Sequence, residues 1–181
     1  MRAFVGLPLP PPESVVQLLD DLRSCGADYK VVEPKNFHLT VKFLGEIPEA
    51  QAAIILERLR AATLPRDYRV VLRDVGAFPD WKRLNILWIG LQDPEGALAK
   101  TIADAERSFA EIGFLRETRP FSPHATIARK RSERDRDAAK NVLSQHRNEE
   151  FGEIRVHAPV LFRSTLTPQG PVYEPLGEAV A

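Results

Sequence analysis

The sequence lacks several features that would assign it to a specialised class of protein. It has one cysteine, Cys25, so no disulfide can form within the chain and no cysteine cluster can hold zinc. No apolar run approaches the ~20 residues that a membrane-spanning helix needs. Basic and acidic residues number 25 each, and this balance argues against binding along many phosphates of long nucleic acid. We therefore expect a cytoplasmic protein without membrane contact, and we take it to be a monomer.

The pattern of apolar residues predicts an α+β fold. Strands are predicted near residues 2–7, 28–33, 37–44, 68–75, 84–91, 124–128, 153–163 and 171–176. Helices are predicted over 13–25, 49–62, 93–112 and 132–146, with Asp93 as the N-cap of the third and Ser132 in a capping box of the fourth.

Strands that come in pairs between helices favour a bilobal, pseudo-symmetric arrangement. We expect two antiparallel sheets that face each other across a central groove, with helices outside. No linker rich in glycine or serine interrupts the chain, so we expect residues 1–181 to form a single bilobal domain.

Two short segments of the chain look like copies of one another. His38-Leu39-Thr40 and His124-Ala125-Thr126 each have a histidine, a spacer and a threonine among residues that favour strands. We call them the first and second HxT motifs. Side chains at i and i+2 of a strand point to the same face, so each histidine shares a surface with its threonine. If the two halves of the fold pack together, two imidazoles and two hydroxyls converge on one cleft.

Such a cleft suits the cleavage of a phosphate ester. The reaction needs a base for the nucleophile, an acid for the leaving oxygen and donors for the phosphoryl oxygens. With a pKa of ~6.5, one imidazole can be neutral and another protonated near neutral pH. Neither motif offers a second histidine or a matched third ligand, so we expect no metal and no cofactor. A structural role is the alternative for either motif alone, but the pair favours catalysis.

Longer runs around the motifs, 38–45 and 121–129, resemble the two signatures of the two-histidine (2H) phosphoesterases. Within that superfamily the chain is similar to the RNA 2′,3′-cyclic phosphodiesterases, historically called 2′–5′ RNA ligases. Further similarity lies in 2–6, 76–79, 83–91 and 164–173, so the resemblance covers essentially the whole chain. One departure is Val32, where relatives often carry a tryptophan that could stack on a base.

The resemblance implies a bilobal fold and metal-free hydrolysis of a 2′,3′-cyclic phosphate to a 2′-phosphate. The substrates implied are RNA ends or nucleotides that carry this ring. His38 would protonate the departing 3′ oxygen, and His124 would activate water. Thr40 and Thr126 would hold the phosphate oxygens.

Other residues are candidates for substrate binding. Arg129 could reach the phosphate only if its strand ends or bulges after Ala128, whereas Lys42 keeps the alternation of His38 and Thr40. Arg83 is a candidate for the phosphates of a longer RNA. Four aromatic residues could stack on a base or belong to the core: Phe4, Phe78, Phe121 and Tyr173.

Two alternative functions remain open from the sequence. One is RNA ligation through the reverse chemistry, which water disfavours and which no ATP-binding motif would drive. The other is a non-catalytic module that binds RNA ends, although both motifs keep their histidine and threonine.

Overall fold

The computed structural model describes residues 1–179, which form nine strands, four α-helices and a short 3₁₀ turn at Pro34–Asn36. The strands are β1 Arg2–Pro8, β2 Tyr29–Val31, β3 His38–Glu46, β4 Tyr68–Phe78, β5 Ile86–Gln92, β6 His124–Lys130, β7 Glu150–Val156, β8 Val160–Thr167 and β9 Gly170–Glu178. The helices are α1 Glu13–Ser24, α2 Gln51–Ala61, α3 Ala97–Ala110 and α4 Arg136–Ser144.

All the strand pairs are antiparallel, in the order β7-β4-β5-β6-β3-β1-β8-β9, with β2 beside β6. This order divides into a β6 lobe (β7, β4, β5, β6) and a β3 lobe (β3, β1, β8, β9). In the sheet formed by residues 1–179, the two lobes are joined where β3 pairs with β6 through Leu39 and Ala125. The α+β bilobal fold is confirmed, with one refinement: the two expected sheets are halves of one curled sheet, and its concave face forms the groove.

The helices cover the convex side of the sheet. On α1 the buried residues Val15, Leu18, Leu19 and Leu22 follow the spacing of one helical face. This helix packs on α4 and β7, behind the β6 lobe. Behind the β3 lobe, α2 and α3 pack on each other and on β9 and β3 respectively. Helices therefore lie outside, as predicted, and leave the concave face open. None of the helices in residues 1–179 is long and apolar enough to cross a lipid bilayer.

Two helix starts differ from their predictions. The Asp93 carboxylate accepts hydrogen bonds from the amides of Leu98 and Ala99, at 3.1 and 2.8 Å, but α3 begins later, at Ala97. The N-cap is Gly96, because the proline-containing segment before it forms a turn that needs a positive φ. The Ser132 hydroxyl donates to Asp28 instead of capping α4.

The predicted extended stretch 153–163 also differs from the structure. It contains two strands: β7 ends at Val156, and β8 begins at Val160. The chain passes here from the β6 lobe to the β3 lobe, so the two strands have different partners. Apolar patterning cannot distinguish one strand from two when both continue in extended backbone.

Candidate active site

The two HxT motifs lie side by side at the junction of the lobes. Their middle residues, Leu39 and Ala125, are paired across β3 and β6, and both side chains are buried on the convex side. Because the pairing is antiparallel, each histidine faces the threonine of the other motif. All four polar side chains therefore share the concave face. The two histidines are diagonal neighbours, which in a regular ladder places them roughly 7–8 Å apart. The residues converge as expected, on adjacent strands rather than across facing sheets.

Each imidazole is oriented by a backbone carbonyl two residues upstream. His38 Nδ1 lies 2.7 Å from the oxygen of Asn36, and His124 Nδ1 lies 2.9 Å from the oxygen of Ser122. A carbonyl oxygen only accepts, so Nδ1 carries the hydrogen in both rings and Nε2 is left free to exchange a proton. Thr40 Oγ1 lies 3.3 Å from His38 Nε2, to which its hydroxyl donates when the ring is neutral.

Aromatic rings hold both imidazoles in place. The ring of His38 lies 5.0 Å from Phe4 and 5.4 Å from Tyr173, between ring centroids. The ring of His124 lies 4.8 Å from Phe78 and 6.1 Å from Trp88. Phe4 is only 4% exposed, so it presents no open face to a base and packs against the histidine instead. Sequence patterning misses the contact of Trp88 with His124, because a tryptophan in an apolar strand is typical of a core.

Burial and a neighbouring cation lower the pKa of His38 below its usual value of 6.5. Desolvation is the larger cause, since it disfavours the charged ring, and the positive charge of Arg129 acts in the same direction. The hydrogen bond to Asn36 opposes both. In the unliganded protein the neutral form of His38 is therefore favoured at neutral pH.

A β-bulge turns Arg129 towards the groove. Thr126 is opposite Trp88, but Ala128 is opposite the next residue, Leu87, so β6 contains one extra residue at this point. Arg129 then pairs with Ile86, which shares the face of Trp88 and hence of Thr126. The geometric condition for Arg129 to reach the substrate is met.

The matching bulge in β3 turns Lys42 away from the groove. Thr40 is opposite Gly6 and Lys42 is opposite Val5, so Lys42 shares the convex face of a fully buried valine. Its ammonium lies 2.8 and 2.9 Å from the two carboxylate oxygens of Glu106 on α3. The structure therefore does not bring Lys42 to the HxT motifs, because the alternation on which that prediction relied ends at the bulge.

Phe43 takes the place in the β3 lobe that Arg129 takes in the β6 lobe. It is opposite Phe4, on the concave face, and is 66% exposed. Strict alternation from His38 and Thr40 would place Phe43 on the buried face, so the sequence alone favours a core position and hides the change of face. No local signal marks the bulge.

Two other candidates lie in loops that precede strands of the β6 lobe. Arg83 is exposed between β4 and β5, 3.9 Å from the carboxylate of Asp80. Phe121 is 46% exposed in the segment before β6. Neither is held against an HxT residue by a hydrogen bond, an ion pair or a ring contact in residues 1–179. In the same range there is no group of three or more ligating side chains that could hold a metal ion.

The chain belongs to the LigT-like phosphoesterase family, which it matches over residues 5–88 and again over 89–173. Each matched segment contains one HxT motif, and the resemblance to the 2H phosphoesterases is thereby confirmed. An Aeropyrum pernix protein called RNA 2′,3′-cyclic phosphodiesterase is 36% identical over 92% of this chain and 94% of its own. A Methanothermobacter thermautotrophicus protein of the same name is 33% identical over 96% of this chain and 95% of its own.

Solved structures share the fold. The protein TT0787 of Thermus thermophilus superimposes with a TM-score of 0.79 at 29% identity, covering 98% of this chain and 96% of that one. Escherichia coli LigT in complex with 3′-AMP has a TM-score of 0.73 at 25% identity, covering 98% and 95% of the two chains.

Proposed function

We propose that this protein hydrolyses the 2′,3′-cyclic phosphate at an RNA end or on a nucleotide and leaves a 2′-phosphate. The observation that carries the proposal is the pairing of the two HxT motifs on one face, with Nδ1 of each imidazole bound to a backbone carbonyl so that Nε2 is the atom that exchanges a proton. Relatives that align over almost the whole chain are called RNA 2′,3′-cyclic phosphodiesterases, which supports the same reaction.

The proposed reaction uses both imidazoles in one displacement. Nε2 of His124 accepts a proton from water, and the water oxygen bonds to phosphorus. The bond from phosphorus to the 3′ oxygen breaks, and His38 gives that oxygen a proton. Threonine hydroxyls of both motifs donate to the non-bridging oxygens, where charge develops. Arg129 adds a positive charge on the same face, so no metal is required for charge neutralisation.

The acid role of His38 depends on the bound substrate. In the free protein its pKa is lowered, chiefly by burial, and a neutral imidazole is no acid. A cyclic phosphate placed between the histidines is an anion, and an opposite charge within a few ångströms favours the protonated ring. Substrate binding therefore raises the pKa of His38 towards the value that proton donation needs.

The test is phosphorus NMR of the purified protein with adenosine 2′,3′-cyclic phosphate in EDTA, beside His124→Ala. We expect conversion to the 2′-monophosphate by the wild type alone. An oligonucleotide with a cyclic phosphate end is the second substrate. If wild type leaves both intact while still binding them, the protein is a binding module and the proposal fails. Activity that EDTA abolishes would also contradict it.

The proposal includes two finer expectations about the protein itself. We propose that it acts as a monomer, since each chain carries both HxT motifs and so has a complete site, and that it works in the cytoplasm. Sedimentation equilibrium and cell fractionation would test these expectations.

A further inference from the structure

The β8–β9 hairpin leans over the concave face and meets Lys30. Tyr173 of β9 contacts the ring of His38, although β9 is three strands from β3 in the sheet. At the tip of the hairpin, Gly170 approaches Lys30 so closely that a Cβ there would lie 2.5 Å from its Cε. The φ of Gly170 is +125°, so this approach uses a backbone conformation that other residues rarely adopt. The Lys30 side chain is thus placed under the turn.

Lys30 also faces the groove beside Arg129. The two residues are directly paired between β2 and β6, and directly paired residues project to the same face. The next residue, Val31, is 5% exposed and points to the convex side, which fixes the direction of Lys30 independently. Both cations therefore belong to the face that carries the HxT motifs, three residues beyond Thr126, or roughly 10 Å along the strand.

Neither cation has an anionic partner in residues 1–179. In this part of the chain four other half-buried basic residues are paired, for example Lys42 with Glu106 and Lys130 with Glu133, whereas Lys140 on the outer helix α4 is not. Lys30 is half-buried as well, yet neither it nor Arg129 makes an ion pair or a side-chain hydrogen bond in that range. Two adjacent like charges repel each other, and a bound anion between them would remove this cost.

We propose that Lys30, together with Arg129, binds the phosphate on the 5′ oxygen of the terminal nucleoside. This inference rests on the proposed function and adds a second phosphate subsite to it. A chain that ends in a cyclic phosphate carries its next phosphate one nucleotide away, and a flexible lysine suits a solvated phosphate at that distance. The preferred substrate is then an RNA end or a 5′-phosphorylated nucleotide rather than a nucleoside cyclic phosphate.

The experiment compares kcat/KM for three substrates: adenosine 2′,3′-cyclic phosphate, the same compound with a 5′-phosphate, and the dinucleotide ApA with a cyclic end. We expect the wild type to prefer the two substrates with an additional phosphate by about tenfold, as one charge-assisted hydrogen bond allows. In Lys30→Gln this ratio should fall to near one, whereas Lys30→Arg should retain most of it. Lys140→Gln, on the outer helix α4, is the matched control and should keep the wild-type ratio.

The results separate this inference from the proposed function. If the wild type hydrolyses none of the three substrates, the proposed function fails. If it hydrolyses all three without preference, or if Lys30→Gln keeps the preference, the second subsite is wrong and the hydrolase stands. A preference lost in Arg2→Gln but kept in Lys30→Gln would also overturn the inference, since Arg2 lies on β1 and not beside Arg129. If only ApA with a cyclic end is preferred, the subsite binds a phosphodiester. If both ApA and the 5′-phosphorylated nucleotide are preferred, the subsite binds a phosphodiester or a phosphomonoester alike.

Discussion

Replacing Lys42 should destabilise the protein without touching the site. The pair that Lys42 forms with Glu106 has side-chain exposures of only 10% and 16%, and Glu106 also accepts a hydrogen bond from the amide of Glu117 at 3.1 Å. In Lys42→Met the largely buried carboxylate of Glu106 loses its counter-charge. Breaking such a pair costs about 3–5 kcal/mol. For a chain of this size that lowers Tm by about 6–20 °C, because each kcal/mol corresponds to about 2–4 °C.

Thermal unfolding followed by circular dichroism measures this effect, and kcat/KM below the transition measures function. A matched control is Lys100→Met on α3, the helix that carries Glu106. It breaks an ion pair whose lysine is 62% exposed, so it should cost no more than about 1 kcal/mol. The double variant Lys42→Met, Glu106→Leu should recover most of the lost stability, since it removes both buried charges. An unchanged Tm with kcat/KM reduced about tenfold or more would refute the bulge argument and place Lys42 at the substrate.

The remaining predictions concern the site itself. His38→Ala and His124→Ala should each lower kcat by about 10²–10⁴-fold while circular dichroism stays that of the wild type, and a near-normal rate in either would exclude that histidine from catalysis. Arg129→Gln should raise the pKa of His38 in an NMR titration, because a positive charge that lowers it is removed; a lower value would contradict the placement of Arg129. If His38 is the acid, kcat/KM of the wild type should fall as pH rises through an apparent pKa below 6.5, since that profile reports the free enzyme. If kcat/KM instead falls as pH is lowered through that apparent pKa, His38 is the base.

The HxT motifs could be predicted because their information is local. His38 and Thr40 are two residues apart on one strand, and this spacing alone puts their side chains on the same face, whichever strands β3 pairs with. The faces of Lys42 and Arg129 depend instead on bulges, which arise from pairing with β1 and β5. Strict alternation placed Lys42 in the groove and Arg129 outside it, and both placements are reversed in the structure.

The joining of the lobes was likewise beyond local patterning. The repeat of the motifs predicted two related halves, and the two halves are present. Whether their sheets face each other or join edge to edge depends on contacts between residues far apart in sequence, such as Leu39 and Ala125. Helix positions were predicted from apolar spacing, but the start of α3 was not, because the turn at Gly96 competes with the cap that Asp93 would form.

The unequal pair of Phe43 and Arg129 has a consequence for which bond is cut. The two ester oxygens of a 2′,3′-cyclic phosphate are themselves almost equivalent, and a site with perfect twofold symmetry would accept the ring in either orientation. Half of the binding events would then release the 2′ oxygen instead of the 3′ oxygen. An arginine on one side and an exposed phenylalanine on the other make the two orientations unequal in energy. We therefore expect the regiochemistry of the product to depend on this difference in charge between the two halves of the groove.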